Sequence, residues 1–76
     1  MSTKKTEVGC RYRHYKKGTI YRVLAIGKDC EDPTREIVCY QSEIDSGVWM
    51  RERSDFESTV NVNGDLVPRF KRLHKE

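Results

Sequence analysis

An all-β fold, a small closed or nearly closed barrel of five to six short strands with one helical turn, is what this sequence predicts. Three observations point there. Apolar and polar side chains alternate with a period of two in several short runs. Gly, Asn, Asp and Pro cluster between those runs at short intervals. One helical turn, marked by a capping box, interrupts the strand runs.

The runs follow in order. Residues 10–15, Cys-Arg-Tyr-Arg-His-Tyr, alternate basic with aromatic or apolar side chains. Lys16-Lys17-Gly18 forms a turn. Residues 20–26 make the strongest strand, apolar on both faces along much of its length, as a bent strand shared by two halves of a barrel would be. Residues 27–35 read as a loop and 36–41 as a β-branched strand. A turn at 42–47 leads to a strand at 48–53. Ser54-Asp55-Phe56-Glu57 matches a capping box, in which Ser54 caps a helix start and Glu57 bonds back; it predicts one helical turn with Phe56 pointing inward. Asn63-Gly64 tolerates the positive φ angles of a type I′ hairpin, with Val60 facing Val67 and Pro68 at a strand end.

The chain has 76 residues, enough for one domain with a thin core, since chains this short bury only about 60% of the surface their unfolded form exposes. The expected division is a disordered basic tail at 1–8, a single domain at 9–73 and a frayed end at 74–76. At this scale the strand pattern suits an SH3-like barrel, in which closure removes exposed edges.

The three cysteines, Cys10, Cys30 and Cys39, show no metal or redox spacing. With no apolar run near the roughly 18 residues of a membrane span, the sequence fits a reducing cytoplasm and no membrane partner. Cys10 and Cys39 are expected to be buried and Cys30 exposed.

Charge is unevenly placed within a net +3. Residues 1–28 hold eight basic and one acidic side chain, residues 29–57 three basic and nine acidic, and residues 58–76 four basic and two acidic. Either the segments attract one another, or a basic face is offered to polyanions.

Enzymatic motifs are missing. There is no glycine-rich phosphate loop, no G-x-S-x-G and no H-E-x-x-H, and His14 and His74 lack the spacing of a zinc site. The expectation is a protein that is not an enzyme and binds neither cofactor nor metal. Aromatics carry more information. Tyr21 and Phe56 are expected in the core. Alternation sets Tyr15 opposite Tyr12 and His14, and places Trp49 with Arg51, opposite Val48 and Met50. Trp49 either fills the core or joins Tyr15, Tyr40, His14 and Arg51 in a stacking surface. Basic residues interleave with aromatics at Arg11, Arg13, Lys16, Lys17 and Arg22, and again at Arg69, Lys71 and Arg72, a pattern that meets phosphates.

The ordered run Tyr12-Arg13-His14-Tyr15-Lys16, Gly18, Tyr21, Val23-Leu24, Ile37-Val38, Tyr40, Val48-Trp49-Met50-Arg51, Phe56, Gly64 and Val67-Pro68-Arg69-Phe70 resembles the domain of unknown function 1653 family over residues 9–73. The resemblance implies a compact SH3-like β fold and brings no activity, substrate or cofactor with it. Glu52 stands where the family usually has proline, and the loop at 28–35 is more acidic. Two functions follow as expectations. One is a nucleic-acid-binding module for RNA or single strands, with bases on Trp49 or Tyr15 and phosphates on Arg11, Arg13, Lys16 and Arg69. The other is a peptide- or protein-binding module using Tyr15, Tyr40 and Trp49, within a larger assembly.

Overall fold

A computed structural model of the chain describes residues 6–73; residues 1–5 of the tail expected at 1–8 and the expected frayed end at 74–76 lie outside them, while Thr6, placed by that expectation in the tail, is buried with its N–H on Glu57. The described residues form seven strands and one helical turn: β1 Arg11–His14, β2 Ile20–Lys28, β3 Glu36–Ser42, β4 Val48–Glu52, α1 Arg53–Phe56, β5 Thr59–Val62, β6 Asp65–Pro68 and β7 Phe70–Arg72. The mainly β class stands, with seven strands rather than the five or six expected.

Five of them build one antiparallel sheet in the order β4-β3-β2-β1-β7, and β5 and β6 form a separate hairpin. The expected barrel does not close, because no pairing joins β4 to β7 among the described residues. Two local features accompany the opening. After Glu52 the chain coils into α1 instead of extending. Pro68 ends β6, and the next N–H, that of Arg69, donates to the carbonyl of Ser58 at 2.9 Å. Side chains span the gap: Arg51 of β4 lies over the Phe70 ring of β7, 5.8 Å from its centroid.

The bent strand has a physical cause. Val23 pairs with Tyr40 and Ala25 with Cys39, so Leu24 is one residue too many on β2. This bulge kinks the strand and shifts its alternation. Tyr21 and Val23 face inward before it, and Ile26 packs on the core after it. Apolar residues on both faces of the run therefore record a change of phase.

The core occupies the inner face of the curled sheet: Cys10, Tyr12, Tyr21, Val23, Val38, Tyr40 and Phe70, covered by Phe56 from α1. Phe70 is its hub, with edge-on contacts to Tyr21 at 5.9 Å and Tyr40 at 5.4 Å. Tyr21 and Phe56 are buried as expected, Cys30 is exposed, and Cys10 is buried while Cys39 is half-buried. The buried Tyr12 hydroxyl accepts the Glu7 N–H at 3.2 Å, and burial raises its pKa.

The helical turn forms without the expected capping box. It starts at Arg53, its cap position Glu52 makes no side-chain cap bond, and the Glu57 carboxylate accepts the Thr6 N–H at 2.8 Å and the Arg53 Nε–H at 3.0 Å. Burial pushes the Glu57 carboxyl up, but these two donors win and hold its pKa below the ordinary value. Arg53 also donates to the Thr6 carbonyl and to Glu36, so Thr6, already buried, is clamped onto α1. The hairpin forms as expected. Asn63 and Gly64 have φ of 52° and 90°, and Val60 pairs with Val67.

Candidate functional site

Ion pairs decide which cations remain for a ligand. Arg11 and Arg22 stand opposite each other on β1 and β2, a like-charge pair that would repel. Glu43 relieves them, bonding Arg11 through both carboxylate oxygens at 2.9 Å and approaching Arg22 at 3.8 Å. The Arg11 hydrogen bond, first of all, holds the Glu43 carboxyl below its usual range. Arg35 meets Asp29 and Glu52, Arg51 meets Asp55, Arg53 meets Glu36 and Glu57, Arg69 meets Asp55, and Arg72 meets Glu7. The basic and acidic segments thus do attract one another. Exposed pairs of this kind contribute only about 0–1 kcal/mol each, so their main consequence is to engage seven arginines.

Arg13, Lys16, Lys17, Lys28 and Lys71 have no ion pair among the described residues. Four of these five gather at one place. Arg13 and Lys71 are directly opposite across β1 and β7, a second like-charge pair and one with no Glu43 of its own. Lys16 and Lys17 occupy the turn after β1. Beside them lies a groove of about 450 Å³ lined by Arg13, His14, Tyr15, Gly18, Val62, Val67, Pro68 and Lys71. Its walls are the β1–β2 turn and the β5–β6 hairpin, and most of its lining is apolar.

His14 organises this end. Its Nδ1 accepts the N–H of Lys16 at 3.1 Å and of Lys17 at 3.3 Å, while the Gly18 N–H bonds to the His14 carbonyl. Gly18 has φ of 73°, a left-handed conformation that closes the turn at little cost without a side chain. The imidazole lies 5.0 Å from the Tyr15 ring and edge-on to Phe70 at 5.1 Å. Desolvation lowers the His14 pKa, and the nearby charges of Lys17, Arg51, Arg69 and Lys16 lower it further. A neutral imidazole that accepts at Nδ1 is thereby the stable form, and it holds two lysines beside the groove.

The structure brings Arg13, His14, Tyr15 and Lys16 together and separates them from the other expected site residues. Tyr40 is in the core, only 5% exposed, with its hydroxyl accepting from Arg51. Arg11, Arg51 and Arg69 are held by carboxylates, and Arg69 also donates to the Ser58 hydroxyl. Trp49 is 54% exposed rather than packed, but β4 and β1 are separated in the sheet by β3 and β2, and neither Trp49 nor Arg51 lines the groove. The stacking surface expected to unite Trp49, Tyr40 and His14 is therefore not formed. Lys71, Val62, Val67 and Pro68 join the site instead. Among the described residues no three His, Cys, Asp or Glu side chains are placed to hold a metal ion, and no helix is long and apolar enough to cross a membrane.

The sequence profile of the family described as protein of unknown function (DUF1653) matches residues 10–72. The chain belongs to the DUF1653 family. That match spans β1 to β7 and so includes the whole groove lining of this DUF1653 chain. No curated protein and no solved structure matches it.

Proposed function

We propose that this DUF1653 chain is a non-enzymatic module that binds RNA or single-stranded nucleic acid in the groove between the β1–β2 turn and the β5–β6 hairpin. The observation that carries the reading is the Arg13–Lys71 pair. Two cations face each other across strands with no carboxylate between them, beside an apolar cleft. Such a pair costs stability in the free protein and is relieved by a phosphate. A base stacks on Tyr15, at 38% exposure the most accessible ring of the lining, against Val62, Val67 and Pro68. The backbone phosphates meet Arg13, Lys71, Lys16 and Lys17. A single strand suits the site better than a duplex, because the four-residue α1 is too short to read a groove of DNA. The three free thiols suit a reducing cytoplasm.

The apolar lining also favours a second occupant, an extended or proline-rich peptide. The two readings separate on Lys16→Glu, which damages nucleic-acid binding and largely spares peptide binding. The test is a titration of labelled single-stranded oligonucleotide at several salt concentrations. Each neutralised phosphate contributes a slope of about −0.7 in log K against log salt, so four cations give about −3. No binding, or binding indifferent to salt, rejects the proposal.

A further inference from the structure

The β4 edge of the sheet is open. The Glu43 N–H donates to the Ile20 carbonyl at 3.0 Å and the Ser42 N–H to the Gly47 carbonyl at 2.8 Å. Tyr40 stands between Val23 and Trp49 in the ladder. Antiparallel alternation then turns the backbone groups of Trp49 and Arg51 toward β3, and those of Val48, Met50 and Glu52 away from it. Among the described residues β4 pairs with β3 alone, so Val48, Met50 and the Glu52 N–H have no strand partner on that side, while the Glu52 carbonyl caps the first turn of α1.

The edges at β7 and β6 are guarded and this one is not. The opposite edge strand, β7, carries Lys71 and Arg72, and β6 carries Asp65 and Pro68, residues that discourage edge-to-edge pairing. On β4 the apolar side chains stand out, with Val48, Trp49 and Met50 exposed to 53%, 54% and 72%. Its two charges are already neutralised, Arg51 by Asp55 and Glu52 by Arg35, so two copies of the strand do not repel.

We infer that β4 pairs antiparallel with β4 of a second copy of this chain, about a two-fold axis at Met50. The outward backbone groups permit several axes, and the one at Met50 is central to the five-residue strand and so pairs its whole length. It sets Met50 against the partner's Met50, Trp49 against the partner's Arg51, and Val48 against the stem of the partner's Glu52. Ring meets guanidinium and aliphatic meets aliphatic at every step. An axis at Arg51 would instead oppose two guanidinium groups. The contact is isologous and therefore closes at two copies. It lies across the sheet from β1 and β7, so it leaves the groove accessible and is independent of what the groove binds.

Sedimentation of the full chain over a wide concentration range, with Trp49 emission read on the same samples, tests this. The wild type is expected to pass from monomer to dimer as concentration rises, with the emission of its one tryptophan shifting to the blue. Met50→Lys places two ammonium groups at the axis and is expected to stay monomeric, with unchanged circular dichroism and thermal unfolding because Met50 lies outside the core. Met50→Leu is expected to dimerise as the wild type does. A wild type that stays monomeric throughout overturns the inference, as does a Met50→Lys variant that associates to the same extent.

Discussion

Phe56 and Phe70 stack face to face, with centroids 4.1 Å apart and planes 7° from parallel. This contact joins the short helical turn to an edge strand of the sheet. Phe56 is 1% exposed and also meets Tyr12 and Tyr40 edge-on. In an eight-residue core its removal cannot be absorbed by collapse of distant layers. Phe56→Ala is expected to cost about 3–5 kcal/mol, which urea unfolding of the variant measures. A loss under 1 kcal/mol, on the scale of an ordinary surface substitution, would show that the turn is not part of the core.

Glu43 bridges Arg11 and Arg22, which face each other across β1 and β2. Glu43→Gln is expected to destabilise the fold by about 0.5–1 kcal/mol, the scale of an exposed pair plus a relieved repulsion. The Glu43 pKa is depressed in the folded state, so its contribution is present above the ordinary carboxylate range and is lost as pH falls through the folded value. Thermal unfolding of wild type and variant across acidic pH checks this; the two curves are expected to converge once the carboxylate is protonated.

His14 titrates below its ordinary value, first through desolvation and then through the surrounding cations. A depressed folded pKa means that the unfolded chain takes up the proton first as pH falls. Stability is therefore full above about 6.5 and is lost between that value and the lower folded one. Protonation also removes the Nδ1 acceptor of the Lys16 and Lys17 amides. NMR titration of the His14 ring is expected to give a pKa below that of a model histidine, and single-stranded nucleic acid is expected to raise it as phosphates offset the neighbouring charges.

Much of the fold could be read from residue order because local chemistry dictates it. Asn63-Gly64 sets its hairpin through two positive φ angles, and Tyr21 in its strand and Phe56 in its helical turn are in the core as expected, whereas alternation set Tyr12 opposite Tyr15 without deciding which of the two is buried. The bulge at Leu24 was legible only as an apolar run with no polar face. The capping box at Ser54 failed because the turn starts at Arg53 and Thr6, 51 residues before Glu57, takes the Glu57 carboxylate. The candidate site was half legible. Arg13, His14, Tyr15 and Lys16 are contiguous, whereas Lys71 reaches the groove through a β1–β7 register that no local pattern encodes. Arg11 and Arg69 resembled free phosphate ligands, and Arg51 part of a stacking surface, until Glu43 and Asp55 were placed beside them.

The most direct measurement of the central claim is the salt dependence of single-strand binding by Lys71→Glu and Arg13→Glu beside Arg72→Glu. The first two remove cations of the groove, and the third removes one already paired with Glu7. Lys71→Glu and Arg13→Glu are each expected to weaken binding and to reduce the salt slope by about 0.7–1, with Arg72→Glu closer to wild type. Equal losses in all three variants, or none in the first two, would contradict a nucleic-acid site in the groove.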